Sequence, residues 1–172
     1  MTPKPPVARV PLDQEQVVNA AADLADAEGL DALTLTRVAK ILGVRQPALY
    51  RHVESYQDLL RLLSLRGREQ LAAALSEAAI GVSGDEAIGA VGRAWRETVL
   101  ASPGLYEATD RCPCAGDEEL EEAVERIVGV IAQALVGFDL DDDHRVHSAR
   151  ALRSAFHGFC HLESGDGHPH PH

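Results

Sequence analysis

The sequence is short of aromatic residues, at 4%, holds an odd three cysteines, and contains no apolar run approaching the length of a membrane span. A bilayer crossing needs about 20 consecutive apolar residues, so a membrane-spanning protein is excluded. The opening "MTPKPPVARVP" lacks the apolar core of a secretory signal, and an unpaired number of cysteines argues against a disulfide framework. Both point to a cytoplasmic protein with reduced thiols. Nor does the chain contain a nucleophile and base at meaningful spacing, a glycine-rich phosphate loop or a cofactor fingerprint. An enzyme is not expected, and no cofactor is implied. What is present is a 172-residue chain with 45% apolar residues, enough for one sizeable core or two small ones. Ala and Leu recur throughout and lose little rotamer freedom in a helix, so the expected fold class is all-α.

Acids are also missing from one particular place. Residues 34–53, "TLTRVAKILGVRQPALYRHV", carry four bases, Arg37, Lys40, Arg45 and Arg51, and no Asp or Glu. The formal net charge of the chain is -11, and outside this window the other 12 Lys and Arg face all 27 acids, a sum of -15. Most of the surface must therefore repel nucleic acid. Any contact with it has to be local.

Periodicity and capping divide the chain into about eight helices. Residues 1–11, with four prolines, read as an arm. Asp13 and Gln16 form a capping box, and Gly29 closes the helix that follows. Thr34 caps a short second helix with Val38, Ala39, Ile41 and Leu42 inside, ended by Gly43. Pro47 suits the first turn of a third, and Leu49 points to the core. Ser55 and Asp58 open a long helix running to about residue 79, Ser83 and Glu86 the next, and Ser102 with Pro103 a short one. Leu120 to Leu135 form an amphipathic stripe, and Asp141 caps a last helix carrying Val146, Ala149, Leu152, Phe156 and Phe159. The expected organisation is thus an arm (1–11), a DNA-binding domain (12–55), a connecting helix (56–79), a second helical domain (80–164) and a tail (165–172).

Two short helices joined by a tight glycine-containing turn make a helix-turn-helix, whose second helix lies in the major groove while the first crosses the backbone. The bases and exposed polar residues of the window share one side, and Val38, Ala39, Val44 and Leu49 are left for the core. Lys and Arg on phosphates supply affinity; Arg or Gln on base edges can specify sequence. Arg45 and Gln46 are the expected readers.

Residues 12–71, through "GLDALTLTRVAKILGV", "PALYRHV" and the following "DLL", resemble the DNA-binding domain of the TetR/AcrR family of bacterial transcriptional regulators. "AFHGF", with Phe156, His157 and Gly158, resembles the Trp-His-Gly type motif of a subgroup's C-terminal domain. The resemblance implies a homodimer on a pseudo-palindromic operator, a repressor released when a small-molecule effector enters a C-terminal pocket. It places Thr36 and Arg37 near the DNA backbone, Arg45, Gln46, Pro47 and Ala48 at the groove, and Tyr50, Arg51 and His52 on phosphates. Tyr56 stands where many members carry a Lys, so it brings a hydrogen bond without a charge. Arg45 replaces the usual small capping residue, which weakens the start of the recognition helix. Family members also continue for a further helix, whereas this sequence passes into "GDGHPHPH". The expectation is that dimerisation rests on residues 142–163 alone, or that a shortened chain dimerises weakly and acts as a heterodimerising interaction module.

Three further groups invite chemistry. Trp95, Tyr106, Phe138 and Phe156 can form ordinary core or line an apolar pocket with His157 as polar anchor. His157, Cys160 and His161, at helical spacing, suggest a metal-responsive sensor, although the amphipathic helix explains them without a metal. Cys112 and Cys114 in "RCPCAGD" read as exposed thiols with Arg111 as the one adjacent cation. His168, His170 and His172 carry no functional reading. His144 and His147 beside Asp141 to Asp143 are explained by capping and the helix dipole.

Overall fold

The structure, a computed structural model, describes residues 11–164 and is all-α. The expected arm through residue 10 and the tail with its three histidines lie outside the described residues. The chain forms α1 (Gln14–Glu28), α2 (Leu35–Ile41), α3 (Tyr56–Ala78), α4 (Gly84–Ala101), α5 (Pro103–Arg111), α6 (Glu118–Ala134) and α7 (Asp142–Ser164), with 3-10 helices at Leu30–Ala32 and Gln46–Arg51. Among the described residues no helix is long and apolar enough to cross a membrane.

Local chemistry sets most of these boundaries. Asp13 accepts from the amide of Gln16 at 2.7 Å while the Gln16 side chain accepts from the Asp13 amide at 3.1 Å, a complete capping box. Thr34 accepts from the Arg37 amide at 3.2 Å, and Ser55 from that of Asp58 at 3.0 Å. Asp58 does not complete that box; its carboxylate accepts one residue earlier, from the Glu54 amide at 2.8 Å. Gly43, at φ +66°, turns α2 into the next segment, a conformation that excludes most L side chains.

Three expectations fail for identifiable reasons. The third helix is 3-10 and not α. Arg45 supplies no side-chain cap and Pro47 removes an amide, so bonds three residues apart dominate, as from the Ala48 amide to the Arg45 carbonyl at 2.9 Å. Ser83 makes no capping bond, because Gly84 has φ +59° and α4 starts outside right-handed helical geometry. Ser102 makes none either; Asp26, from α1, accepts from the Leu105 amide at 2.9 Å instead. The start of α5 is thus capped by another helix.

Two cores result. The first joins α1, α2, Leu49, Val53 and the front of α3, through Leu63. Leu105 and Ala108 of α5 belong to it as well. The second is built by the rear of α3 from Leu71, with α4, α6 and α7 around Trp95, Ile127 and Ile131. Each fully buried Leu or Ile contributes about 2 to 3 kcal/mol through lost apolar exposure. Ile41, expected inside, is 56% exposed; it lines an open cleft with Gln16, Asn19 and Asp23 of α1. Helix α3 crosses both cores, and α5 packs on it where Gly67 lets the helices approach: a Cβ there would stand 3.0 Å from the Leu105 carbonyl oxygen.

Candidate functional site

The window without acids folds into one continuous face. Thr36, Lys40, Arg45, Pro47, Tyr50 and Arg51 are exposed, Arg37, Gln46, Ala48 and His52 half-buried, while Leu35, Val38, Ala39 and Leu49 anchor the unit from beneath. The Thr36 hydroxyl donates to the Gln46 side-chain Oε1 at 2.8 Å, and Gln46 Nε2 donates to the Tyr50 hydroxyl at 3.2 Å. These bonds tie the two helices of the motif and hold Gln46 in one orientation. Its amide keeps a second N–H for another acceptor.

The cations are not equivalent. Arg37 pairs with Glu28 at 2.5 Å and donates to the Ala32 carbonyl at 3.2 Å; its guanidinium holds the Glu28 carboxyl below its usual pKa. Part of its charge is therefore spent on the fold. Lys40, Arg45 and Arg51 make no ion pair among the described residues. The carbonyl of His52 accepts from the Gln14 side chain at 2.9 Å, fastening the end of the recognition segment to α1. Tyr56, first residue of α3, is half-buried against the first core. The arrangement offers three cations without an ion pair, a side-chain amide and a tyrosine hydroxyl on one surface, which suits a polyanion.

A second site lies behind it. A cavity of about 160 Å³ opens between α3, α4, α5, α6 and α7. Trp95, Tyr106 and His157 line it, whereas Phe156 does not; its ring packs on Trp95 with centroids 5.9 Å apart. Phe138 stands apart, 38% exposed in the turn between α6 and α7. The Trp95 indole donates to the Tyr106 hydroxyl at 3.1 Å, which lies 2.6 Å from His157 Nδ1. Trp95, Tyr106 and His157 thus form one hydrogen-bonded chain across the cavity, its last link set by the imidazole tautomer. His157 Nε2 sits 3.4 Å from Asp110, and His161 Nδ1 approaches the same carboxylate at 3.4 Å. Burial pushes the Tyr106 hydroxyl well above its ordinary pKa, keeping it neutral.

The cavity also contains residues the sequence reading passed over: Arg68, Arg153, Asp110 and Thr109. Arg68 carried a usable signal, because it falls on the inner stripe of α3 between Ser64 and Ala72. It is 6% exposed, and desolvation pulls its pKa below the usual arginine value. The metal-sensor group disperses. His157 and His161 stack at 6.1 Å, but Cys160 is buried in the second core, and no three His, Cys, Asp or Glu side chains among the described residues are grouped to hold an ion. Cys112 and Cys114 are half-buried free thiols rather than exposed ones, and the Cys112 carbonyl accepts from Arg68 at 3.1 Å. Arg111 is therefore not the one cation beside them.

Comparison with known proteins agrees with the geometry. Residues 17–63 match the bacterial regulatory proteins of the tetR family, and residues 88–172 match the tetracyclin repressor-like C-terminal domain. The HTH-type transcriptional regulator Rv0681 of Mycobacterium tuberculosis is 33% identical over 88% of this chain and 70% of its own length. YobS of Bacillus subtilis, also an HTH-type transcriptional regulator, is 31% identical over 88% of this chain and 78% of its own. In structure, BioQ with its double-stranded DNA operator superposes with a TM-score of 0.69 at 24% identity, covering 91% of this chain and 90% of that one. The fold and the basic face define a helix-turn-helix regulator of transcription. The chain belongs to the TetR family of bacterial regulators.

Proposed function

We propose that the protein is a homodimeric repressor acting on DNA in the cytoplasm, released from its operator when a small molecule occupies the cavity beside Trp95. The observation that carries this reading is the position of α5. Tyr106, Thr109 and Asp110 face the cavity, while Leu105 and Ala108 of the same helix are part of the first core. At its start Gly104 lies so close to α1 that a Cβ would stand 2.2 Å from the Ala25 carbonyl carbon. A ligand that moves α5 therefore has to move α1 and the recognition segment with it. Such a ligand lowers DNA affinity only by binding the released spacing of the two headpieces more tightly than the operator-bound spacing.

The second copy has a surface to meet. Ala151, Ala155, Phe159 and Leu162 recur at helical spacing on one exposed side of α7, with Phe159 at 54% and Leu162 at 56% exposure. Large apolar side chains exposed together favour association. In the headpiece, Arg45 and Gln46 read bases, Thr36, Tyr50, Arg51 and His52 hold phosphates, and Tyr56 adds a neutral donor.

Sedimentation equilibrium at low micromolar concentration tests the dimer, for which twice the 18.5 kDa chain mass is expected. A monomer at every concentration rules out symmetric operator binding by this chain. Selection of operator fragments by the wild type and by Arg45→Ala/Gln46→Ala tests the readers. Relaxed selectivity is expected, and unchanged selectivity removes the assignment. With Lys40 and Arg51 free for phosphates in each headpiece, the logarithm of the binding constant should fall against that of salt with a slope of about 4.

A further inference from the structure

The lining of the cavity specifies a ligand chemistry. In the C-terminal half Arg96, Arg111, Arg126, Arg145 and Arg150 each meet a carboxylate. Arg68 and Arg153, the two arginines of the cavity wall, form no ion pair among the described residues. The hydrogen-bond partners of Arg68 are all neutral: the Ser64 hydroxyl and carbonyl, the Thr109 carbonyl at 2.9 Å and the Cys112 carbonyl at 3.1 Å. Arg153 has a buried Nε with no hydrogen-bond partner. Buried donors in native proteins are almost always paired, and a buried cation without a counter-charge is costlier still. Asp110, which lines the same cavity, acts on Arg68 through its charge, so two positive groups share a single acid there.

One acid, Asp110, does line the cavity, but His157 and His161 both face it at 3.4 Å. Tyr106 is committed to Trp95 and His157. Thr109 adds a further polar group, and Leu71, Trp95, Val124 and Ile127 form the apolar part of the wall. A bare inorganic ion would leave that apolar part unfilled, and a neutral ligand would leave two guanidiniums facing the single carboxylate of Asp110. The volume of about 160 Å³ is close to that of an engineered cavity that holds benzene.

We infer that the cavity binds a small organic carboxylate whose apolar body is about the size of a benzene ring, with Arg68 and Arg153 supplying the counter-charge and Leu71, Trp95, Val124 and Ile127 the apolar contact. The inference rests on the cavity being the effector site. It gives that site a chemical class: monocarboxylic acids, selected over their neutral analogues by charge and over larger acids by volume.

Trp95 is the sole tryptophan and lines the cavity, so its emission reports occupancy directly. The full chain is titrated with benzoate, phenylacetate and hexanoate, each against its own carboxamide. At least one carboxylate should saturate the signal below about 10 mM, a weak but specific affinity, and its amide should bind at least tenfold more weakly. Arg153→Gln should remove that preference by weakening the carboxylate at least tenfold while leaving the amide unchanged, and Arg153→Lys should restore part of it. Amides that bind as tightly as acids, acids that never saturate, or an acid affinity unmoved by Arg153→Gln would each overturn the proposal. If Arg153→Gln does not fold, the acid-to-amide ratio in the wild type decides. Anisotropy of a labelled operator separates this from the repressor reading. A carboxylate that binds at Trp95 without loosening DNA removes effector release and keeps the anion site. Release by amides alone does the reverse.

Discussion

The two cores treat polar groups in opposite ways. In the first, every fully buried residue is apolar, and polar side chains sit at the rim, where Asp13, Thr34 and Ser55 cap helices. The second encloses the edge of a cavity, and the buried polar residues of the described chain, Ser64 and Arg68, lie on α3 where the two cores meet. A closed apolar unit presents a rigid face, whereas a unit with a void and two guanidiniums beside one carboxylate has stability to gain by binding something. The difference separates a closed unit carrying the helix-turn-helix from one that keeps a polar cavity. Helix α5 belongs to both.

The comparison breaks most severely at the point of contact between them. Gly104→Val should destabilise the protein by about 3 kcal/mol, since overpacking against backbone cannot relax as it does against a flexible side chain. Denaturant unfolding should show the loss, with the operator affinity falling as α1 separates from α5. If stability is unchanged, the two units are not coupled through this contact. Asp13→Ala removes a complete capping box and should cost about 1 kcal/mol, visible as a lower Tm.

A smaller effect concerns pH. Asp117 caps α6, accepting from the Leu120 amide at 3.3 Å, and pairs with Arg61 of α3 at 2.5 Å. The Arg61 hydrogen bond holds the Asp117 carboxyl below its ordinary value of 3.8. The carboxylate therefore stabilises the fold fully above that pH and loses its contribution as pH falls through the depressed value. The stability gap between the wild type and Asp117→Asn should be constant at neutral pH and close only in acid; a gap that closes near pH 7 would contradict the assignment. Smallest of all is Ser83→Ala. Because Ser83 makes no capping bond, the change should stay within about 0.5 kcal/mol, in contrast to Asp13.

That last contrast shows how much of the molecule could be read in advance. The headpiece was legible because its determinants are local. A cap acts over three residues, a glycine turn over four, and the absence of acids from residues 34–53 is visible without coordinates. The identity of Arg45 even anticipated a weakly begun recognition helix, seen as the 3-10 segment Gln46–Arg51. The C-terminal half depends on partners far along the chain. Asp26 replaces Ser102 as the cap of α5 across 79 residues, and no periodicity announces that. Phe138 and Phe156 looked like pocket residues by type, yet one is exposed and the other packs behind Trp95. Arg68 passed unremarked, although its place on the inner stripe of α3, between Ser64 and Ala72, already pointed inward.

The uneven charge also has a kinetic side. With -15 outside residues 34–53, a molecule drifting toward DNA body first is turned away, while one arriving with Lys40, Arg45 and Arg51 forward is drawn in. Repulsion thus acts as an orientational filter before any base is touched. Encounters are fewer than for a uniformly basic protein, but a larger share of them is correctly aligned. Adding salt weakens both the pull and the filter, so association should lose its preference for one approach at the same ionic strengths at which it slows.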